Sequence, residues 1–186
     1  MTTPLGSTTW FTGLSGAGKT TVARAVAEVL REDGHAVELL DGDELRAALS
    51  PELGFSRDGR ELHLRRVSWI ASLLERHGVH VLVAAIAPYR DLRDRLRQEH
   101  ARFLEVFVDA PLDLVEARDV KGLYRRARAG EIESFTGLSQ GYEPPTRPDL
   151  HLRTGRETVA LSRDRVLEAL THRGWLTSGR ATAEVT

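Results

Sequence analysis

Apolar positions in this chain fall into two periods that alternate along its length. Thr8-Thr9-Trp10-Phe11-Thr12 is β-branched and aromatic, the composition of a short buried strand. Val22, Ala23, Val26, Ala27 and Leu30 then recur at helical spacing, which predicts a helix from Thr21 to Arg31 that stops near Asp33-Gly34, with Gly34 as a left-handed cap. Ala36 to Leu40 reads as a second strand, Glu44 to Leu49 as a short helix ended by Ser50-Pro51, and 52–58 as a loop. Arg60 to His77 predicts a long helix, with Val67, Ile70, Ala71 and Leu74 on its buried face and Gly78 closing it. Val79 to Ile86 is almost continuously apolar, the mark of a central parallel strand. A charged helix (Asp91 to Ala101), a strand (Phe103 to Val108) and the start of another helix (Leu112 to Arg118) follow.

The periodicity then lapses. Residues 119–148 hold Lys121, Arg125, Arg126, Arg128 and Arg147, with little apolar repeat after Ala129. A long irregular segment inside a compact domain is a functional lid or a linker. Leu150 to Leu152 predicts a last short strand and Arg163 to Arg173 a last helix. Residues 1–7 read as a loose lead-in and 177–186 as a disordered tail, which leaves one domain over 1–176. Strand–helix alternation throughout predicts a parallel α/β sheet.

Composition narrows the function classes. With 186 residues the chain has room for one domain with a real core. The net charge of -1 gives no global field to recruit nucleic acid or an acidic membrane surface. Cysteine is absent, which removes disulfides and thiolate zinc sites and suits a cytoplasmic protein. The longest apolar run, Val79 to Pro88, is too short to span a bilayer, and no secretory signal pattern opens the sequence.

The chemistry concentrates after the first strand. Gly13-Leu14-Ser15-Gly16-Ala17-Gly18-Lys19-Thr20 fits G-x-x-x-x-G-K-[ST], the P-loop, between a predicted strand and a predicted helix. Its glycines let backbone N–H groups close around phosphate oxygens at a helix N-terminus. Gly13, Ser15, Gly16, Ala17, Gly18, Lys19, Thr20 and Thr21 are therefore the expected ATP-binding set, with the Thr20 hydroxyl on Mg²⁺. Asp41-Gly42-Asp43 stands at the end of the second strand, on the sheet edge where ligands bind. One carboxylate would hold a Mg²⁺-bound water and the other accept the acceptor's proton; the plainer reading is a turn that caps the next helix. Arg60 and His63 lie one helical turn apart on the inward face. Arg60 fits an anion; His63 fits either a substrate contact or a half-buried histidine satisfied within the protein. The basic residues of 118–128 fit a phosphate-covering lid or a solvated face.

These residues together resemble the adenylylsulfate kinase (APS kinase) family. The resemblance runs from about Trp10 to Leu152 through the P-loop, Leu40-Asp41-Gly42-Asp43, Leu53-Gly54-Phe55-Ser56, Arg60 to Arg66, Ile86-Ala87-Pro88-Tyr89-Arg90, and the run from Arg118-Asp119-Val120-Lys121-Gly122-Leu123-Tyr124 to Phe135-Thr136-Gly137 and Tyr142-Glu143-Pro144-Pro145. It implies a P-loop NTPase-type three-layer sandwich: a central parallel sheet flanked by helices, with a lid at about 119–148. It implies ATP and Mg²⁺, and phosphorylation of the 3′-hydroxyl of adenylyl sulfate to 3′-phosphoadenylyl sulfate in sulfate assimilation. It further implies a small-molecule nucleotide partner, no nucleic acid, no membrane, a cytoplasmic protein and, since the family is often dimeric, a homodimer.

By the same resemblance, Lys19, Asp41 and Asp43 are catalytic, with Asp43 as base and Asp41 on Mg²⁺ through water. Arg46 and Arg60 grip the phosphosulfate, and Phe55 and Phe135 sandwich the substrate adenine. Ile86 and Ala87 line the site, Lys121 reaches the substrate or the transferring phosphate, and Arg118 lies near the ATP base. The sequence departs from the family at Leu62-His63, where Glu-Asn is usual and the Asn contacts substrate, and at Ala87, where Ser is frequent. Glu44 and Trp69 depart as well. The departure at His63 motivates two further readings: a diverged kinase of another hydroxylated anion, or a nucleotide-binding regulatory protein without turnover.

Overall fold

The computed structural model describes residues 6–119, 121–132 and 135–176; the expected loose ends at 1–5 and 177–186 lie outside the described residues. Five strands, β1 (Ser7–Thr12), β2 (Val37–Asp41), β3 (His80–Ala84), β4 (Phe103–Asp109) and β5 (Leu150–Arg153), form one sheet in the order β2-β3-β1-β4-β5. Every pairing is parallel. The helices are α1 (Lys19–Glu32), α2 (Gly42–Leu49), α3 (Arg57–Arg76), α4 (Arg90–Arg97), α5 (Leu112–Arg118), α6 (Leu123–Arg128) and α7 (Val159–His172).

Side chains of a strand alternate faces, and β1 shows what that does here. Trp10 joins Val81 and Val83 against Val67 and Ala71 of α3 and Leu92 and Leu96 of α4. Phe11 points the other way, joining Leu82, Leu104 and Val106 against Val22, Val26 and Leu30 of α1 and Val166 and Leu170 of α7. Two apolar faces of one sheet, each covered by helices, give the three layers. Because β1 is central, the loop that leaves its C-terminal end opens at the middle of the sheet edge. Among the described residues no helix is long and apolar enough to cross a membrane.

Several boundaries differ from the sequence reading, each for a local reason. Ser7 belongs to β1, not to a lead-in; it is buried, and its hydroxyl bonds His80 Nδ1 at 2.9 Å. The helix α3 begins three residues earlier than the apolar pattern, because Ser56 caps it by accepting from the Gly59 amide at 3.2 Å. The expected third strand to Ile86 stops at Ala84: Ala87 takes a left-handed φ of 43°, and that turn leads the chain away from the sheet. The helix α4 ends at Arg97 rather than Ala101, and α7 starts at Val159 under a Thr158 cap. The helix α6 sits in the segment read as irregular.

Candidate active site

The P-loop closes between β1 and α1 because Gly13 can do what no other residue could. Its φ is 151°, and a Cβ there would lie 2.2 Å from the Val108 carbonyl oxygen. Gly16 and Gly18 follow with φ of 76° and 96°, turning the loop onto the N-terminus of α1. The loop thus delivers the cleft to the positive end of a 14-residue helix, the backbone setting of an anion site. Lys19 Nζ donates to the Gly13 and Leu14 carbonyls at 3.1 and 2.8 Å. Burial pulls its pKa down to about 8, against the opposing pull of Asp43 and Asp41.

Asp41, the last residue of β2, caps the next helix and also reaches the P-loop. Its Oδ1 accepts from the Asp43 amide at 2.9 Å and so caps α2, while its Oδ2 accepts the Thr20 hydroxyl at 2.8 Å. Burial would raise this carboxyl, but the Thr20 and Asp43 bonds, with Lys121 beyond them, hold it below the usual range. It is a carboxylate at neutral pH. A hydroxyl and a carboxylate side by side fit Mg²⁺, a hard cation that keeps most of its shell from water and phosphate oxygens. Among the described residues, no group of three or more His, Cys, Asp or Glu is placed to bind a metal ion.

Asp43, the second residue of α2, is exposed, and its Oδ2 accepts from Lys121 Nζ at 2.5 Å. That contact spans the cleft from the lid. Lys121 is followed by Gly122 in a left-handed conformation and by α6, whose Tyr124 is buried. Tyr124 donates its hydroxyl to Ser15 O at 3.0 Å and meets Phe135 edge-on at 4.9 Å, so the lid is fastened to the P-loop.

The far wall comes from α2, α3 and the turn after β3. Arg46 and Arg60 hold their guanidinium carbons 4.9 and 5.4 Å from the centre of the half-exposed Phe55 ring. Arg60 also donates to Phe55 O at 2.8 Å. Ile86 and Ala87 form the turn itself: Thr12 donates to Ile86 O at 2.5 Å and buried Arg93 to Ala87 O at 2.6 Å. Together these surfaces enclose a cleft of about 980 Å³. Ser15, Gly16, Gly18, Lys19, Thr20 and Thr21 line it on one side; Asp41, Asp43, Arg46, Phe55, Arg60, His63, Ile86, Ala87, Lys121 and Phe135 line the rest.

Three expected contacts fall elsewhere. Gly13 and Ala17 shape the loop from behind: the Gly13 carbonyl accepts from Lys19, and the Ala17 carbonyl accepts from the Thr154 hydroxyl at 2.7 Å. Arg118 stands outside the cleft and donates to Thr154 O at 3.3 Å. His63 does border the cleft, but both of its ring nitrogens are engaged within the protein, with Ser50 Oγ at 3.0 Å and Gly42 O at 3.2 Å. Burial, then the Arg46 charge, lowers its pKa to about 4, so it is neutral at pH 7.

Sequence reasoning did not single out Ser50, Arg93, Tyr124 or Tyr142 as site residues. Tyr142 ties the end of the lid to the sheet through Thr12 Oγ1 at 2.9 Å. The partners in that bond lie 130 residues apart, beyond the reach of any local pattern. Thr136 is also new: it borders the cleft, and its buried hydroxyl has no hydrogen-bond partner among the described residues.

A P-loop at the central strand, a carboxylate pair delivered beside it and a basic lid across both define a P-loop kinase. Comparison with known proteins identifies which kind. The adenylylsulphate kinase family profile matches residues 5–153. The adenylyl-sulfate kinase of Chloroflexus aurantiacus is 55% identical over 169 residues, 91% of this chain and 91% of that protein. An APS kinase of Mycobacterium tuberculosis, solved in complex with AMPPNP and APS, is 46% identical with a TM-score of 0.88, over 90% of this chain and 99% of that one. A hexameric APS kinase from Thiobacillus denitrificans is 34% identical with a TM-score of 0.69, over 94% of this chain and 30% of that longer one. The chain belongs to the adenylyl-sulfate kinase family.

Proposed function

We propose that Lys19, Asp41, Asp43 and Lys121 carry phosphoryl transfer in this chain. The reaction is that of the family: ATP gives its terminal phosphoryl group to the 3′-hydroxyl of adenylyl sulfate, leaving ADP and 3′-phosphoadenylyl sulfate. The observation that carries the reading is the Lys121–Asp43 contact, which brings a lid cation and a carboxylate together between the P-loop and the Arg46–Arg60 wall.

Each group has a task set by its surroundings. The P-loop amides and Lys19 hold the donor phosphates. Thr20, with Asp41 behind a water, would hold Mg²⁺, which would supply positive charge to the phosphate oxygens. Arg46 and Arg60 pair with the phosphosulfate of the acceptor, and Phe55 and Phe135 offer flat surfaces to its adenine. Asp43 accepts the 3′-hydroxyl proton as the oxygen attacks. Its partner Lys121 then turns to the transferring phosphate, where charge builds. Arg118 would approach the ATP base only after moving from Thr154. The alternative acceptor suggested by His63 loses its motive, because that ring is satisfied without a ligand.

The test is direct. Mixing with ATP, Mg²⁺ and adenylyl sulfate is expected to release ADP in step with 3′-phosphoadenylyl sulfate. Turnover no higher than the ATP-only background contradicts the assignment. We also propose a homodimer in the cytoplasm. Exposed Trp69 and Leu62, one heptad apart on α3, support a self-association face. Light scattering at twice the 20.7 kDa chain mass, and cell fractionation, are the checks.

A further inference from the structure

The helix that carries Asp43 and Arg46 is poorly held by packing. The helix α2 has eight residues and none of its side chains is fully buried. A helix this short has little stability of its own. Of its side chains, Leu45 packs against the core, and the hydrogen bonds at the two ends of the helix add to that hold.

At the first residue of α2, the Gly42 carbonyl can only accept, so the proton lies on His63 Nε2, 3.2 Å away. The ring is neutral, which leaves His63 Nδ1 bare. Nδ1 must accept from the Ser50 hydroxyl at 3.0 Å, and Ser50 is the C-cap of the same helix. Ser50 Oγ in turn accepts from Arg66 Nη1 at 3.2 Å, and the same nitrogen donates to Leu49 O at 2.5 Å. Every donor therefore points one way: Arg66 to Ser50, Ser50 to His63, His63 to Gly42. Bonds aligned in a chain strengthen one another, and its His63 and Ser50 members are buried, 2% and 0% exposed, while Arg66 also pairs with Glu52 at 2.7 Å toward the surface. It runs from α3 to both ends of α2. The groups facing His63 are the Arg46 and Arg66 cations and the Asp43 carboxylate.

We propose that His63 is a positioning residue: it clasps α2 at Gly42 and Ser50 and thereby aims Asp43 and Arg46 at the acceptor, without touching the substrate. The imidazole is long enough to bridge both ends through its two nitrogens, which a shorter amide at this position cannot do. The proposal rests on the reading of α2 as the acceptor-side helix.

Kinetics of ADP release by the full chain separate the possibilities. His63→Ala removes both bonds and is expected to lower kcat about 10- to 100-fold, the range a displacement of about 1 Å brings, with the KM for ATP within about twofold. His63→Gln places a donor near the Nε2 position and is expected to recover most of that loss. Ser50→Ala breaks the chain without opening a large cavity and is expected to lower kcat about two- to fivefold. It also serves should the alanine variant at 63 fail to fold. In an Asp43→Asn background, His63→Ala is expected to cost less than in the parent, since the part that acts through Asp43 is already lost and only the part through Arg46 remains. A rise in the KM for adenylyl sulfate at unchanged kcat would assign His63 to the substrate instead, and a Gln variant no better than Ala would remove the clasp. If Asp43→Asn alone leaves kcat intact, the base assignment falls, and the clasp stands or falls on the position 63 and 50 variants.

Discussion

The two halves of the cleft are built in different ways. The donor half is largely backbone: Gly13, Gly16 and Gly18 turn the loop onto the N-terminus of α1, which adds its dipole. The acceptor half is side chains that meet from separate elements. Asp43 and Arg46 come from α2, Arg60 from α3, Lys121 and Phe135 from the lid, and Lys121 meets Asp43 across 78 residues. A backbone site tolerates little change of residue but binds any nucleoside triphosphate. A side-chain site can be retuned one residue at a time, and it is there that the acceptor is chosen. The departure from the family at His63 falls in the second half, while every fixed P-loop position is filled.

That contrast can be broken in measurable ways. Lys19→Ala removes the donor-half cation and is expected to lower kcat/KM about 10³-fold while the fold is retained. Activity within tenfold of the parent would mean that the backbone suffices. Gly13→Ala is expected to cost about 3 kcal/mol or more of stability, because a Cβ would strike the Val108 carbonyl and φ is unfavourable. Chemical denaturation reads this, and a loss under about 1 kcal/mol would contradict the close approach. The smallest effect is one of pH. Lys19, with its pKa lowered to about 8 by burial, loses its proton as pH rises past that value. ATP favours the protonated form, so its affinity should be level below pH 8 and fall by up to about tenfold per unit above it. Affinity for adenylyl sulfate, set by the Arg46 and Arg60 guanidiniums, should stay level to pH 9.5. Titration calorimetry on both ligands tests the pair, and parallel curves would erase the distinction.

The same contrast explains what could be read from the sequence. The P-loop was legible because its geometry is contiguous: eight residues specify a loop and its flanks. The strands and most helices were legible from period alone, since the sheet is covered on both faces. The ends were less so. Ser56 and Thr158 set helix starts through caps that lie outside the apolar pattern. The helix α6 is six residues long and rich in arginine, so its one buried residue, Tyr124, leaves no period to find. In the acceptor half, Lys121 meets Asp43 across 78 residues and Tyr142 meets Thr12 across 130. Strand position alone put Asp43 beside the P-loop and put Lys121 on a candidate lid; only the family resemblance added Arg46, Phe55 and Phe135 to the same cleft. It could not place His63, whose role here depends on Ser50 and Gly42 at opposite ends of a helix.

The division of the cleft rests most heavily on Asp43, and Asp43→Asn tests it in one experiment. Single-turnover phosphoryl transfer to adenylyl sulfate, measured beside ATP binding, is expected to slow about 10²-fold or more while the Kd for ATP stays within about twofold. A transfer rate equal to the parent's, or a loss that appears only as weaker ATP binding, would contradict it.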